Sequence, residues 1–509
     1  MRASPFFCPV PSLMSSTPTA ISSRAVWGSC ALLVLVYTAM RLPLVNRQWH
    51  PDEQHNVAFH IAGYEKVPFP FAHAAEAQPR SQISVAAGQA LIRLGERATP
   101  ASAHVQPWSR TLFHNEQGNN SPPASALARF FNEVWRWLAD QPAPRVNAWA
   151  VRLPTWLAGA VAMLCVFALA LRSMGLVAAL VSGLLFAIHP LVVDLSTLMR
   201  GYGLLLLAQT LSWWCYHRAV ADGDRRAWWI GAAATGCALW AFPGYGYAML
   251  ATQGWLVFSL RDRMIKGEWK TWALSHGVVA SLWAVMALPA FRELLALMSR
   301  YPFKSEHLLW APRLLAQGLT GLMVPSFDQA PLAMKADAGA ALAGAWHSSP
   351  FAVLFAWVII PGLVALGVLQ LSRRGQGWLA GCLMATSAGA LCSIVHQALA
   401  GHELLPWYGI YLAPVTCLSL AALIPSRRSI GYGVAIATVA AFAAATFPDG
   451  RPGRLELFPP KQNPTSGFYH DTVALLTLPN GRTLLAVPPK GTPRPPAWQG
   501  KRPSLKPRP

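Results

Sequence analysis

The sequence predicts an all-α polytopic membrane protein: a bundle of about eleven transmembrane helices with a long extracytoplasmic first loop that carries interfacial helices. Three observations predict it. Of 509 residues, 54% are hydrophobic and 12% charged, whereas a soluble domain carries roughly a quarter charged residues. The apolar residues gather into runs of roughly 17 to 25, the length a helix needs to cross the hydrocarbon. Basic residues are dense in one alternate set of short loops and sparse in the other, which is how cytoplasmic loops differ from outer ones.

The first run, from Ala25 to Met40, leads into Arg41, Leu42 and Pro43 without a small-residue cleavage signature, so it reads as a retained helix. The expected spans are roughly 25–43, 153–171, 175–192, 203–217, 228–244, 246–260, 272–290, 351–371, 377–399, 405–424 and 430–447. With the amino terminus inside, the short inner loops hold Arg172, then Arg218, Arg225 and Arg226, then Arg261, Arg263, Lys266 and Lys270, then Arg373 and Arg374, then Arg427 and Arg428. The short outer loops hold little that is basic besides Arg200. The expected domains are therefore a cytoplasmic tail over roughly 1–24, a transmembrane domain over 25–447 and an extracytoplasmic tail over 448–509, with long outer loops over 45–151 and 292–350.

A net charge of +20 is placed between apolar spans, where it serves topology and anionic headgroups; nucleic acid is not an expected partner. Of the eight cysteines, nearly all lie inside apolar runs and none forms a C-x-x-C pair, so neither a disulfide framework nor a zinc knuckle is indicated. In the first loop, helical pieces are expected around Gln54 to Ala62 and Ser125 to Leu138, the second with Phe130, Phe131, Val134, Trp135 and Leu138 at helical spacing. These suit the membrane interface or packing against the bundle. The stretch from Pro488 to Pro509 reads as disordered. No internal repeat is evident, which disfavours an inverted-repeat transporter.

The most informative segment is His50-Pro51-Asp52-Glu53-Gln54-His55, just beyond the first helix. Ionisable groups are costly at the bilayer centre, so carboxylates that work on a membrane-bound substrate belong at its rim. A solvated loop or a helix cap is the competing reading. The cluster contains several candidate metal ligands at no recognised spacing, and His402-Glu403-Leu404-Leu405 is followed by Pro406 rather than by the second histidine of a zinc helix. No Walker loop or dinucleotide glycine fingerprint stands out.

Several blocks, in order, resemble the GT-C glycosyltransferases, especially the branch of protein O-mannosyltransferases and lipid A aminoarabinose transferases. They are Asp52-Glu53 after the first helix, Asn120-Ser121-Pro122-Pro123, Arg152-Leu153-Pro154, Ala187-Ile188-His189-Pro190 leading into Ser196 to Tyr202 with its Arg200-x-Tyr202, and Pro406 to Pro414. The blocks cover the first half of the chain well and the second half thinly. Many relatives carry His or Lys where this chain has Ser121, which puts a phosphate or metal contact there in doubt; Lys304, Arg300, His402 and Glu403 are the substitutes.

The resemblance implies a polyprenyl-phosphate-sugar donor, a glycan, lipid or protein acceptor, and inversion at the anomeric carbon. Asp52 would be the catalytic base, with Glu53 holding the acceptor or orienting Asp52. Arg200 would meet the leaving phosphate, since a guanidinium pairs with phosphate oxygens bidentately; a residue snorkelling at a helix end is the alternative. Asp194, Tyr202, His50 and Tyr408 are further candidate substrate contacts, Asp194 having a salt bridge to Arg200 as an equal explanation. His189 is better explained as a satisfied interfacial histidine. A divalent metal cofactor is left open. The expected location is a bacterial inner membrane with the site facing the periplasm or exterior. A secondary transporter and an inactive scaffold of the same fold are the competing classes.

Overall fold

An apolar run in hydrocarbon must satisfy its backbone internally, and the helix does so within one segment. The computed structural model describes residues 22–45, 49–68, 103–115, 120–259, 261, 268–298, 311–321, 343, 346–347, 350–399, 406–425, 428–446, 468–470, 473–477 and 481–487. The described part of every expected span is largely helical. Among the described residues, five helices are long and apolar enough to cross a membrane: Ser23–Val45, Ala148–Met174, Trp269–Leu295, Phe355–Arg373 and Gly377–His396. Leu176–Ile188, Tyr408–Ala422 and Ile430–Ala444 are shorter apolar helices. Tyr202–Asp222, Arg225–Ala241 and Gly246–Ser259 are helical too, but their length or their polar and aromatic content, such as Gln209, Tyr216 and His217, keeps them below that threshold.

The chain divides into two compact units. The helical unit comprises Met1–Val45, Asn115–Ala124 and Arg152–Glu456; the sheet unit comprises Asn46–His114, Ser125–Val151 and Leu457–Pro509.

In the helical unit, Leu33, Val166, Leu185, Leu205, Trp213 and Leu418 are wholly buried, while Leu35, Val285 and Ile436 are exposed, as suits helices that meet lipid on their outer faces. Interior polar groups bond to one another across helices: the Tyr216 hydroxyl lies 2.8 Å from Thr235 Oγ1 and 2.9 Å from His276 Nε2. At one end, an ion pair joins Arg172 to Asp222, and Arg374 donates to the Ile424 carbonyl at 2.9 Å. These contacts gather turns that the charge pattern assigns to one side. The Tyr202–Asp222 helix stops at Gly223, whose φ of +68° ends it in the left-handed conformation glycine favours. Asp224 then caps the next helix by accepting the Arg226 N–H at 3.0 Å.

The expected span 175–192 is broken. Pro190 disfavours helical backbone at His189, so Leu176–Ile188 ends there and a short Pro190–Leu195 helix follows. The span over 351–371 likewise contains a π-helical turn, Phe355–Ile359.

The sheet unit was not anticipated from the sequence. Strands β1 (Gly63–Pro68), β2 (Ala103–Val105), β3 (Phe468–His470), β4 (Val473–Thr477) and β5 (Thr483–Val487) form one sheet in the order β2-β1-β5-β4-β3. Only the β1–β5 pair is parallel, with Glu65 opposite Leu484. An ion pair between Glu65 and Arg482 reinforces the join, and the carboxylate raises the guanidinium pKa above its ordinary value. The expected helix at Ser125 begins earlier, as Pro122–Leu138, with prolines in the first turn where no N–H is needed. Within the sheet unit its polar side is the bonded one: Ser125 bonds Asn56, Arg129 donates to Thr111 at 3.0 Å, and Asn132 donates to the Arg145 carbonyl at 3.0 Å. Phe130, Val134, Trp137 and Leu138 are exposed. The disorder expected for Pro488 to Pro509 lies outside the described residues.

Candidate functional site

The expected site residues fall into two groups, one in each unit. In the sheet unit, His50 ends extended backbone and caps the Pro51–Asn56 helix. Its Nδ1 accepts the Asp52 N–H at 3.1 Å, and its own N–H donates to Glu53 Oε2 at 3.0 Å. This reciprocal capping box satisfies two otherwise orphaned donors. Glu53 is fully buried by it, whereas the Asp52 side chain keeps 25% exposure and stands 3.9 Å from the His50 ring nitrogen. Gln54 ties this helix to β4, accepting the Thr477 N–H at 3.0 Å. The cap reading of the acidic pair therefore holds for Glu53, and Asp52 is the more exposed carboxylate of the two.

In the helical unit, the segment from His189 to Tyr202 is held from several directions. Arg41, fully buried in the first helix, donates through Nε to Ser196 Oγ at 2.7 Å and through a terminal nitrogen to the Ala187 carbonyl at 2.9 Å. Thr155 donates to the Leu198 carbonyl at 2.9 Å. His189, expected as a satisfied interfacial histidine, is wholly buried and only half satisfied: its Nε2 lies 3.2 Å from the Leu319 carbonyl, while its Nδ1 has no hydrogen-bond partner among the described residues. Asp194 is only 3% exposed, and its backbone carbonyl accepts from Thr197 Oγ1 at 2.8 Å.

Arg200 is half-buried, with its guanidinium carbon 5.9 Å from the centre of the Tyr202 ring. Tyr202 lies 5.8 Å from Phe242, which in turn lies 5.7 Å from Tyr408. Two candidates from distant parts of the chain, Tyr202 and Tyr408, thus flank Phe242, a residue sequence reasoning missed, and Arg200 stands against the Tyr202 ring. Ser121 lies beside Gly201, where a Cβ would come within 2.6 Å of both Ser121 Oγ and the Ala241 carbonyl. Ser121 donates to that carbonyl at 2.8 Å. Ser121 is thereby packed against the turn that carries Arg200. The other proposed substitutes, Arg300, Lys304, His402 and Glu403, lie outside the described residues. Arg41 was also missed as a site support, although a charge inside an apolar span is itself a signal.

Among the described residues, no three His, Cys, Asp or Glu side chains converge as a metal site. His50 and Glu53 are engaged in the cap.

Residues 144–288 match the sequence model of the family described as dolichyl-phosphate-mannose-protein mannosyltransferase. This segment includes Asp194, Arg200, Tyr202 and Phe242, and the match supports the GT-C resemblance that the motifs carry. Among solved structures, the chain is similar to the Archaeoglobus fulgidus oligosaccharyltransferase in complex with Zn and sulfate, at 14% identity and a TM-score of 0.40, covering 84% of this chain and 53% of that one. The chain thus spans about half the length of that solved protein. No curated protein matches the chain.

Proposed function

We propose that the protein is a membrane glycosyltransferase that moves a sugar from a polyprenyl-phosphate carrier to a glycan, lipid or protein acceptor on the extracytoplasmic side, in a bacterial inner membrane. The observation that carries this reading is the family match over 144–288, because it contains Arg200 and Tyr202.

In the proposed reaction the acceptor oxygen attacks the anomeric carbon while Asp52 takes its proton. The bond from that carbon to the phosphate oxygen breaks, and its electron pair leaves with the polyprenyl phosphate, which inverts the anomeric configuration. Glu53 and His50 fix the turn that presents Asp52. Arg200 meets the charge that grows on the leaving phosphate, an interaction that strengthens as the bond breaks and so acts on the transition state. Tyr202 and Tyr408 offer hydroxyls to the sugar or phosphate, and Asp194 supports the Arg200 loop.

The test is transfer of radiolabelled sugar from a panel of polyprenyl-phosphate-sugars by purified protein, scoring release of free polyprenyl phosphate. Release by wild type and not by Asp52→Asn is expected. Folded wild-type protein that releases none from any donor would overturn the reading.

A further inference from the structure

In the helical unit, an open groove of about 340 Å³ runs between the first turns of the Arg225–Ala241 and Trp269–Met298 helices, lined by Arg225, Arg226, Trp229, Lys270, Thr271 and Leu274. Half of those side chains are cations. Like charges gathered in one cleft repel, and the amino-terminal ends of two helices add to the positive potential. The lining itself holds no acidic side chain. Asp224 caps its own helix and pairs with Arg218 at 2.8 Å, and Asp222 pairs with Arg172. Glu268, two residues before Lys270, is not part of the lining. Among the described residues, Arg225, Arg226 and Lys270 make no ion pair.

The groove also continues into apolar surface. Trp229 and Leu274 within it are exposed, as are Ile230 and Val278 on the same two helices. A free anion would use only the cations. A phospholipid would use both, its phosphate against the cations and its chains along the apolar residues.

The geometry points to a binding site for the headgroup of an anionic phospholipid, at the end of the bundle whose loops the charge pattern assigns to the cytoplasmic side. The site is separate from the proposed transfer chemistry and does not depend on it.

Native mass spectrometry of the full chain, delipidated and titrated with phosphatidylglycerol, tests this. Each cation near a membrane surface contributes about 1 kcal/mol to anionic lipid binding, so R225Q/R226Q/K270Q is expected to bind phosphatidylglycerol on the order of a hundredfold more weakly. R225K/R226K keeps the charge and is expected to retain binding, and K270Q alone is expected to lose roughly fivefold. The single variant carries the test should the triple one not fold. Equal affinity of wild type and K270Q for phosphatidylglycerol would overturn the proposal. So would equal wild-type affinity for phosphatidylcholine, or full displacement of phosphatidylglycerol by inorganic phosphate, which would assign the groove to a free anion.

Discussion

Asp52 and Asp194, the two acidic residues the sequence offers on separate outer segments, are housed in opposite ways. Asp52 sits on a six-residue helix closed by its own neighbours, His50 and Glu53, and a quarter of its side chain stays exposed. Asp194 is 3% exposed, on the short Pro190–Leu195 helix, in a segment held by residues remote in sequence: Arg41 from the first helix and Thr155 from the second long one. A proton acceptor must be within reach of its substrate, while a buried carboxylate is retained only if its surroundings compensate for lost water. The difference suits the Asp52 carboxylate to meeting a substrate and the Asp194 carboxylate to supporting the segment that carries Arg200.

The sharpest way to break that comparison is to exchange each carboxylate for its amide. Asp52→Asn is expected to lower transfer by about 10²–10⁴-fold with unchanged thermal stability, since only the proton acceptor is lost. Asp194→Asn should show the reverse, a lowered unfolding midpoint with turnover per folded molecule within about tenfold of wild type. Equal turnover losses in the two variants would remove the distinction. Arg200→Ala comes next, with a loss of about 10²-fold in kcat/KM for the lipid-linked donor. The acceptor KM should not move, and unchanged donor kinetics would remove Arg200 from phosphate binding.

The helices were legible because each is encoded by a local run of apolar residues at least as long as a helix needs, so length and composition locate them without reference to the rest of the chain. Arg200, Tyr202 and Tyr408 were legible as motif residues, but the meeting of the two tyrosines at Phe242 was not, because Phe242 belongs to no polar pattern and its role is set by packing. The sheet was hidden for a different reason. β1 reads Gly-Tyr-Glu-Lys-Val-Pro, short and half polar, and Arg482, which immediately precedes β5, is 417 residues from Glu65. Strand pairing over that separation leaves no periodic signal in either segment. Asp52 was therefore legible as a candidate, while the link through Gln54 to a strand of the tail was not.

The remote support of the Asp194 segment can be tested through Arg41. Arg41→Met should cost about 2–3 kcal/mol of stability, because it strips the charged donor from Ser196 Oγ and from the Tyr37 and Ala187 carbonyls while the chain keeps those acceptors buried. A cysteine placed at Ser196 should also become open to thiol reagents in the Arg41→Met background and stay protected with Arg41 in place. Persistent protection would show that packing alone holds the segment.

The smallest expected effect concerns the other side of the comparison, the sheet to which the Asp52 helix is tied. Glu65 and Arg482 are 8% and 11% exposed, so either charge left alone loses its partner without regaining full hydration. Glu65→Gln or Arg482→Gln singly should each cost about 1–2 kcal/mol, and the double variant less than the sum, since removing both charges also removes the desolvation penalty. The double-mutant cycle, read by urea-dependent proteolysis of the tail, separates the two contributions to the β1–β5 join. A coupling near zero would mean that the parallel backbone pairing holds the tail by itself. A large coupling would make this one ion pair the fastener between two strands of different origin, and Asp52 transfer activity should then fall with tail release in both single variants while its donor KM stays fixed.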